Sequence, residues 1–113
     1  MAVISAVQAG SKNVVAFLDT LAYSEGTSIE KATQNQGYDV IVTGEDHLGG
    51  QVHEEVFTDY SNHPFASGRP PQIIREKPLL QSTASGRYQL LARYWPVYKA
   101  QMHLPDFSPL SQD

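Results

Sequence analysis

Cysteine is absent from this 113-residue chain, so neither a disulfide framework nor a thiolate metal site can be built from it. Eight Lys and Arg against twelve Asp and Glu leave a formal net charge of -4, and no basic run interrupts that balance. A nucleic-acid partner therefore lacks its electrostatic footprint. The opening "MAVISAVQAG" is too short to span a membrane and carries no early positive charge for a secretory signal. It reads as a frayed arm or a short helix packing on the domain, and no membrane insertion is expected. Internal repeats, low-complexity tracts, phosphate-binding glycine motifs and Ser/His/Asp nucleophile signatures are also missing. No cofactor is implied. What remains is an ordinary composition for one small domain over residues 1–113.

Several elements follow from local rules. A helix is predicted over Lys12 to Glu25, with Ser11 as its N-cap and Gly26 terminating it. Val14, Phe17, Leu18, Leu21 and Ala22 share one apolar stripe of that helix. "YDVIVT" (38–43) and "VFTDY" (56–60) read as the two strands of a hairpin, joined by the Gly-rich "GEDHLGGQVHEE". Residues 61–86 hold Pro64, Pro70, Pro71 and Pro78 and are expected to form a long, partly ordered loop. A bridging segment at 88–91 then leads to a second helix at 93–102. Pro96 is tolerated there in the first turn, and Val97, Tyr98 and Met102 should face the core. Trp95 and Tyr98 are assigned to the core as well. Near the end, Ser108-Pro109 announces another helix start.

Glu25 raises the main chemical question. It follows Ala22 by three residues and Leu21 by four, which places its carboxylate in the middle of the apolar stripe. A buried carboxylate at a helix C-terminus is disfavoured as an ion by desolvation and by the negative end of the macrodipole. Both effects would keep a proton on it near neutrality, as a general acid requires. A helix-end carboxylate that swings into solvent or caps a neighbouring loop satisfies the same spacing.

The other signals are weaker. His47, His53 and His63, with Asp46, Glu54 and Glu55, invite a metal reading, but "HEEVF" has Phe57 where H-E-x-x-H needs its second histidine. Solvated loop histidines are the simpler reading, and no metal site is assigned. "STASGRYQL" (82–90) is a small-residue loop followed by Tyr88 and Gln89. It could approach a sugar closely, or simply be a turn feeding an aromatic core.

Taken together, "AFLDTLAYSEGT", "GYDVIV", "FTDYSNHP", "STASGRYQLLARYW" and "DFSPLSQD" resemble, in the same order, the lambda-type phage endolysins. The match runs from about Val14 to the last residue. That resemblance implies an α+β, lysozyme-like fold: helices around a small β-hairpin, with a glycan cleft and the long loop as one lip. It implies a lytic transglycosylase cutting peptidoglycan between N-acetylmuramic acid and N-acetylglucosamine to 1,6-anhydromuramyl products. Glu25 would be the catalytic acid/base, with Tyr88 and Gln89 facing the sugar and Asp39 and Tyr60 contributing from the hairpin. The enzyme would gather in the host cytoplasm and reach the wall after a holin-type lesion.

Residues 45–55 look like an insertion in the hairpin connection. The family continues past "SPLSQD" into a second helical part that closes the cleft, which these 113 residues lack. The complete protein is expected as a monomer, with self-association if the chain is truncated. Three alternatives accompany this reading. One is a non-catalytic glycan-binding remnant. Another is a hydrolytic muramidase using Asp39 or Asp59 as its second carboxylate. The third is a metal-dependent wall peptidase resting on the histidines.

Overall fold

The computed structural model describes residues 1–29, 33–42 and 55–113. Its elements run α1 (Ala6–Ala9), α2 (Lys12–Glu25), a 3-10 turn (Thr27–Ile29), β1 (Val40–Ile41), β2 (Glu55–Val56), β3 (Gln72–Glu76), β4 (Leu79–Ser82), α3 (Trp95–Gln101) and α4 (Pro109–Gln112). Helices and two small antiparallel sheets make this an α+β fold. None of the described helices is long and apolar enough to cross a membrane.

The bounds of α2 are those its caps dictate. The Ser11 hydroxyl accepts from Val14 N at 3.3 Å. Gly26 ends the helix at φ +79, a left-handed conformation that glycine adopts without a Cβ penalty. The opening segment does form a short helix, closed by a Ser5–Gln8 capping box.

The buried face of α2 differs from the predicted stripe. Val15, Leu18 and Ala22 are buried, Leu21 is half-buried, and Val14 and Phe17 are 41% and 64% exposed. At 3.6 residues per turn the buried face is rotated roughly 65° from the predicted one. The reason lies in the partners: Val15 and Leu18 pack with Ala2 from the N-terminal arm, against Ile4, Ala9 and Tyr88. Glu25 sits on the uncovered flank and is exposed, so the buried setting predicted for its carboxylate is not formed.

The first sheet pairs Val40 with Val56 and Ile41 with Glu55, and both strands are shorter than predicted. On its other edge β1 bonds to the segment after β4: Val42 N donates to Ala84 O at 3.1 Å and Gly86 N to Val40 O at 2.8 Å. The stretch expected to be a long loop carries a second sheet, β3–β4, with a bulge between Ile73 and Arg75. Its strands are joined through Lys77-Pro78, so Pro78 falls in the turn and Pro70 and Pro71 precede β3. Prolines there remove no donor that the ladder needs.

Pro96 does lie in the first turn of α3, and Trp95 is 2% exposed. Val97, Tyr98 and Met102, expected in the core, are 53%, 50% and 66% exposed. The helix touches the core only through its first residue. There Trp95, His63 and Phe57 surround the ring of Phe107, with centroids 5.0, 4.9 and 6.0 Å away. Ser108 caps α4 as its sequence announces.

Candidate active site

The S-E-G-T segment leaves α2 through a tightly held turn. Gly26 N donates to Tyr23 O at 3.0 Å. Thr27 is 2% exposed, and its hydroxyl lies between two carbonyls, Ala22 O at 3.2 Å and Arg87 O. That hydroxyl joins the turn bearing Glu25 to the Arg87-Tyr88-Gln89 segment, 60 residues further on. Gly37 approaches from the third side: at φ +90, a Cβ there would stand 2.6 Å from Thr27 O. Only glycine permits that contact. Beside this junction the Glu25 carboxylate faces outward, and no described residue hydrogen-bonds or ion-pairs with it.

The remaining predicted site residues divide between two places. Asp39 is buried, and its carboxylate accepts from the Thr33 hydroxyl and from Gln34 N at 2.8 Å. It holds the loop that carries Gly37. Asn35 Nδ2 on the same loop donates to the Tyr60 hydroxyl at 3.0 Å. Burial pushes the Tyr60 phenol upward. Gln89 adopts φ +54, and its side-chain amide donates to Gly86 O at 3.0 Å. Thus Asp39 and Tyr60 bind different residues of the same loop, Thr33 and Gln34 against Asn35, while Gln89 folds back on its own turn.

Tyr88 turns away from these groups. Its hydroxyl donates to Asp113 Oδ1, which also accepts from the Tyr38 hydroxyl at 2.9 Å. Burial, then the Asp113 carboxylate, raise both phenols; Tyr38 is pushed up to about 12. Tyr88 lines an apolar cavity of about 580 Å³ together with Leu21, Leu90, Trp95, Tyr98 and Met102.

The small-residue loop does make a close approach, but to the protein itself. A Cβ on Gly86 would meet Gln112 Oε1 at 2.4 Å. Gln112 accepts from Arg87 N at 2.9 Å and donates to Phe107 O at 2.9 Å and Tyr38 O at 3.1 Å.

His63 is not a solvated loop histidine. It is 1% exposed; Nε2 donates to Leu90 O at 2.7 Å and Nδ1 accepts from Phe65 N at 3.2 Å. Burial lowers its pKa from the ordinary value. Both ring nitrogens are used by the backbone, which leaves no lone pair for a metal. His47, His53, Asp46 and Glu54 lie outside the described residues, as does all but residue 55 of the insertion expected at 45–55. Glu55 pairs with Arg69 at 2.5 Å. Asp59 is exposed, and hydrogen bonds from Ser61 hold its carboxyl below the usual range.

Three residues central to this region were given no individual role by the sequence, although they fall in the strings that carry the family resemblance: Arg87, Gln112 and Asp113. Each acts across a long stretch of chain, so neither periodicity nor spacing exposes it. The one available hint was the loop of small residues before Arg87, which marks a place where backbone is closely approached.

A family model described as Endolysin matches residues 15–113. The endolysin of Escherichia phage P2 is 58% identical over 102 residues, covering 90% of this chain and 58% of that protein. The endolysin of Escherichia phage lambda is 50% identical over 99 residues, covering 87% and 52%. Among solved structures, the lysozyme from bacteriophage lambda superposes with a TM-score of 0.67 at 48% identity, over 87% of this chain and 54% of its own. Bacteriophage lambda lysozyme complexed with a chitohexasaccharide gives 0.66 at 51% identity, over 86% and 53%. The fold is therefore lysozyme-like over the matched part, and the chain spans about half the length of the curated relatives it matches.

Proposed function

The chain belongs to the endolysin family, and on that premise we propose that it serves cell-wall degradation in phage lysis, as a lytic transglycosylase acting on peptidoglycan. Glu25 would protonate the oxygen leaving N-acetylmuramic acid as the glycosidic bond breaks. The resulting carboxylate would then take the proton of the muramyl C6 hydroxyl, whose oxygen closes on C1. The product is a 1,6-anhydro ring, and no water is consumed.

The observation that carries this reading is the placement of Glu25. Its carboxylate is exposed and uncommitted, while the turn behind it is fixed through Thr27 to the Arg87–Gln89 segment. An acid that must reach a polymer needs that combination of access and fixed position. The glycan in the complex of lambda lysozyme supports a saccharide ligand here. Asp39 is disfavoured as the second carboxylate of a hydrolase, because it already accepts from Thr33 and Gln34. The protein would act from the host cytoplasm, reaching the wall after holin-type permeabilisation.

The alternative reading is a glycan-binding form that holds wall polymer without cutting it. Incubation with purified sacculi separates the readings. Clearing with muramyl products one water lighter than the hydrolytic ones supports transglycosylation, and Glu25→Gln should abolish it. Products that retain the water would establish a hydrolase instead. Sedimentation with sacculi without clearing would establish the binding form.

A further inference from the structure

Away from Glu25, β2 and the chain following it border a second, open and polar cavity of about 370 Å³, lined by Thr58, Asp59, Ser61, Asn62, Ser67 and Arg69 among others. Three of its side chains are held by the protein with hydrogen-bonding capacity left over. Asn62 Oδ1 accepts from the Trp95 indole N–H at 2.7 Å and from His63 N at 2.9 Å. These two donors orient the carboxamide, so its Nδ2 is left without a partner among the described residues and can donate to a ligand. Asp59 Oδ1 accepts from Ser61 N at 2.9 Å, and no described cation pairs with that carboxylate. Arg69 is steadied by Glu55 at 2.5 Å and by the Phe65 ring, 5.0 Å below its guanidinium, which leaves further N–H groups.

A fixed amide donor, an unpaired carboxylate and an anchored guanidinium on one cavity are the complements of a carbonyl, an ammonium and a carboxylate. A neutral sugar offers neither charge. We propose that this cavity binds a short zwitterionic peptide: Asp59 takes its ammonium, the Asn62 amide a peptide carbonyl, and Arg69 its carboxylate. If the protein acts on peptidoglycan, on which this identification of the source rests, the ligand is the peptide portion attached to the wall glycan, and the ammonium is that of a side-chain amine, because the peptide N-terminus is amide-bonded to the glycan. The cavity then adds a peptide requirement that the glycan cleft alone does not supply. Side chains that are already oriented lose little entropy on binding, so a small ligand can be held by few contacts.

The test uses NMR on the 113-residue chain with two soluble wall fragments, one bearing its peptide and the other stripped of it by an amidase and then amidated at the lactyl carboxyl this exposes, so that the control is neutral. The free peptide serves as a third probe. The Trp95 indole N–H and the Asn62 side-chain amide are the reporters, because they are bonded to one another at the cavity wall. The peptide, alone or on its glycan, should shift both signals, and the stripped glycan should leave them in place. Asp59→Asn keeps an acceptor for Ser61 N and removes the charge; it should weaken peptide binding about tenfold or more, the scale of one lost charge-assisted hydrogen bond. An amidated peptide lacking its carboxylate should bind more weakly to the wild type and equally to Arg69→Gln. Unmoved reporters at millimolar peptide, or an Asp59→Asn variant that binds as well as the wild type, would overturn the proposal. Wall clearing measured on the same samples reports separately on the glycan reaction, so a failure of one is not read as a failure of the other.

Discussion

The guanidinium of Arg87, 2% exposed, donates from Nη2 to Asp19 Oδ1 at 3.0 Å, across 68 residues of sequence. Nη1 donates to Gln36 O, the plane lies over the Tyr38 ring at 5.3 Å, and Nε is buried with no partner among the described residues. The same Asp19 oxygen accepts from Ala2 N at 2.5 Å. One half-exposed carboxylate therefore balances a buried cation and holds the N-terminal arm. Removing it leaves the cation unpaired, which costs more than losing an attraction between exposed groups. Asp19→Ala should destabilise the fold by about 2–4 kcal/mol, a buried-pair value discounted for the exposure of Asp19. Urea unfolding measures it; a change below about 0.5 kcal/mol, the scale of an ordinary surface substitution, would exclude the role given to this pair.

Thr27 predicts a coupling between the Glu25 turn and the Arg87 segment. Thr27→Val keeps the shape and removes the hydroxyl, leaving Arg87 O without that donor while Ala22 O keeps Gly26 N. A stability loss of about 1–3 kcal/mol is expected. Under the proposed mechanism clearing should slow as well, with sacculus binding little changed, because the turn loses its tether while Glu25 remains. Thr27→Ser, which restores the hydroxyl, should recover both. Failure of serine to rescue would show that the methyl packing matters and the hydroxyl does not.

Asp113 gathers three donors: Ile4 N at 2.8 Å and the hydroxyls of Tyr38 and Tyr88. Asp113→Ala leaves the buried Tyr38 phenol, the half-buried Tyr88 phenol and the Ile4 amide without this acceptor. The expected cost is about 2–3 kcal/mol, read from the midpoint of chemical denaturation. Hydrogen exchange at Ile4 should accelerate in the same variant. Unchanged protection there would mean that the arm is held by its other contacts alone.

His63 predicts an acid limit. Its pKa is lowered by burial, so the folded state favours the neutral ring. The unfolded chain takes up the proton first, near the ordinary value of about 6.5. Stability from this residue is therefore complete above that value and is lost as the pH falls from there towards the depressed folded pKa. Protonation would also turn Nδ1 into a donor facing Phe65 N–H. Unfolding free energies between pH 7.5 and 5 should fall in the wild type. They should fall less steeply in His63→Gln, whose Nε2 can still donate to Leu90 O. Parallel slopes would assign the acid sensitivity to other groups.

Glu25→Gln should leave stability within about 0.5 kcal/mol, as expected for an exposed side chain with no described partner. A large loss would contradict the outward placement of the carboxylate and would make lost clearing uninformative about chemistry.

The legible parts of this protein were those decided within a few residues. Ser11 and Gly26 bound α2, and Ser108-Pro109 begins α4, because capping depends on the side chain and backbone torsions of the capping residue itself. Pro96 restricts where α3 can start for the same local reason. The S-E-G-T and S-G-R-Y segments were likewise visible as strings that mark the family. The β3–β4 pair was obscured because its prolines were read as breakers, although they lie before β3 and in the turn, where no ladder donor is required.

Tertiary structure alone decided what each side chain faces. The apolar residues of α2 offer more than one face to bury. Packing against Ala2 and Tyr88 selected Val15 and Leu18, with Ala22 buried on the same face, and left Phe17 and Glu25 outside. His63 became a core residue because Leu90 and Phe65 supply a backbone partner to each ring nitrogen. Asp113 reaches Ile4 across 109 residues. Periodicity reports which groups share a side of an element, whereas desolvation and hydrogen-bond satisfaction depend on what chain arrives opposite them.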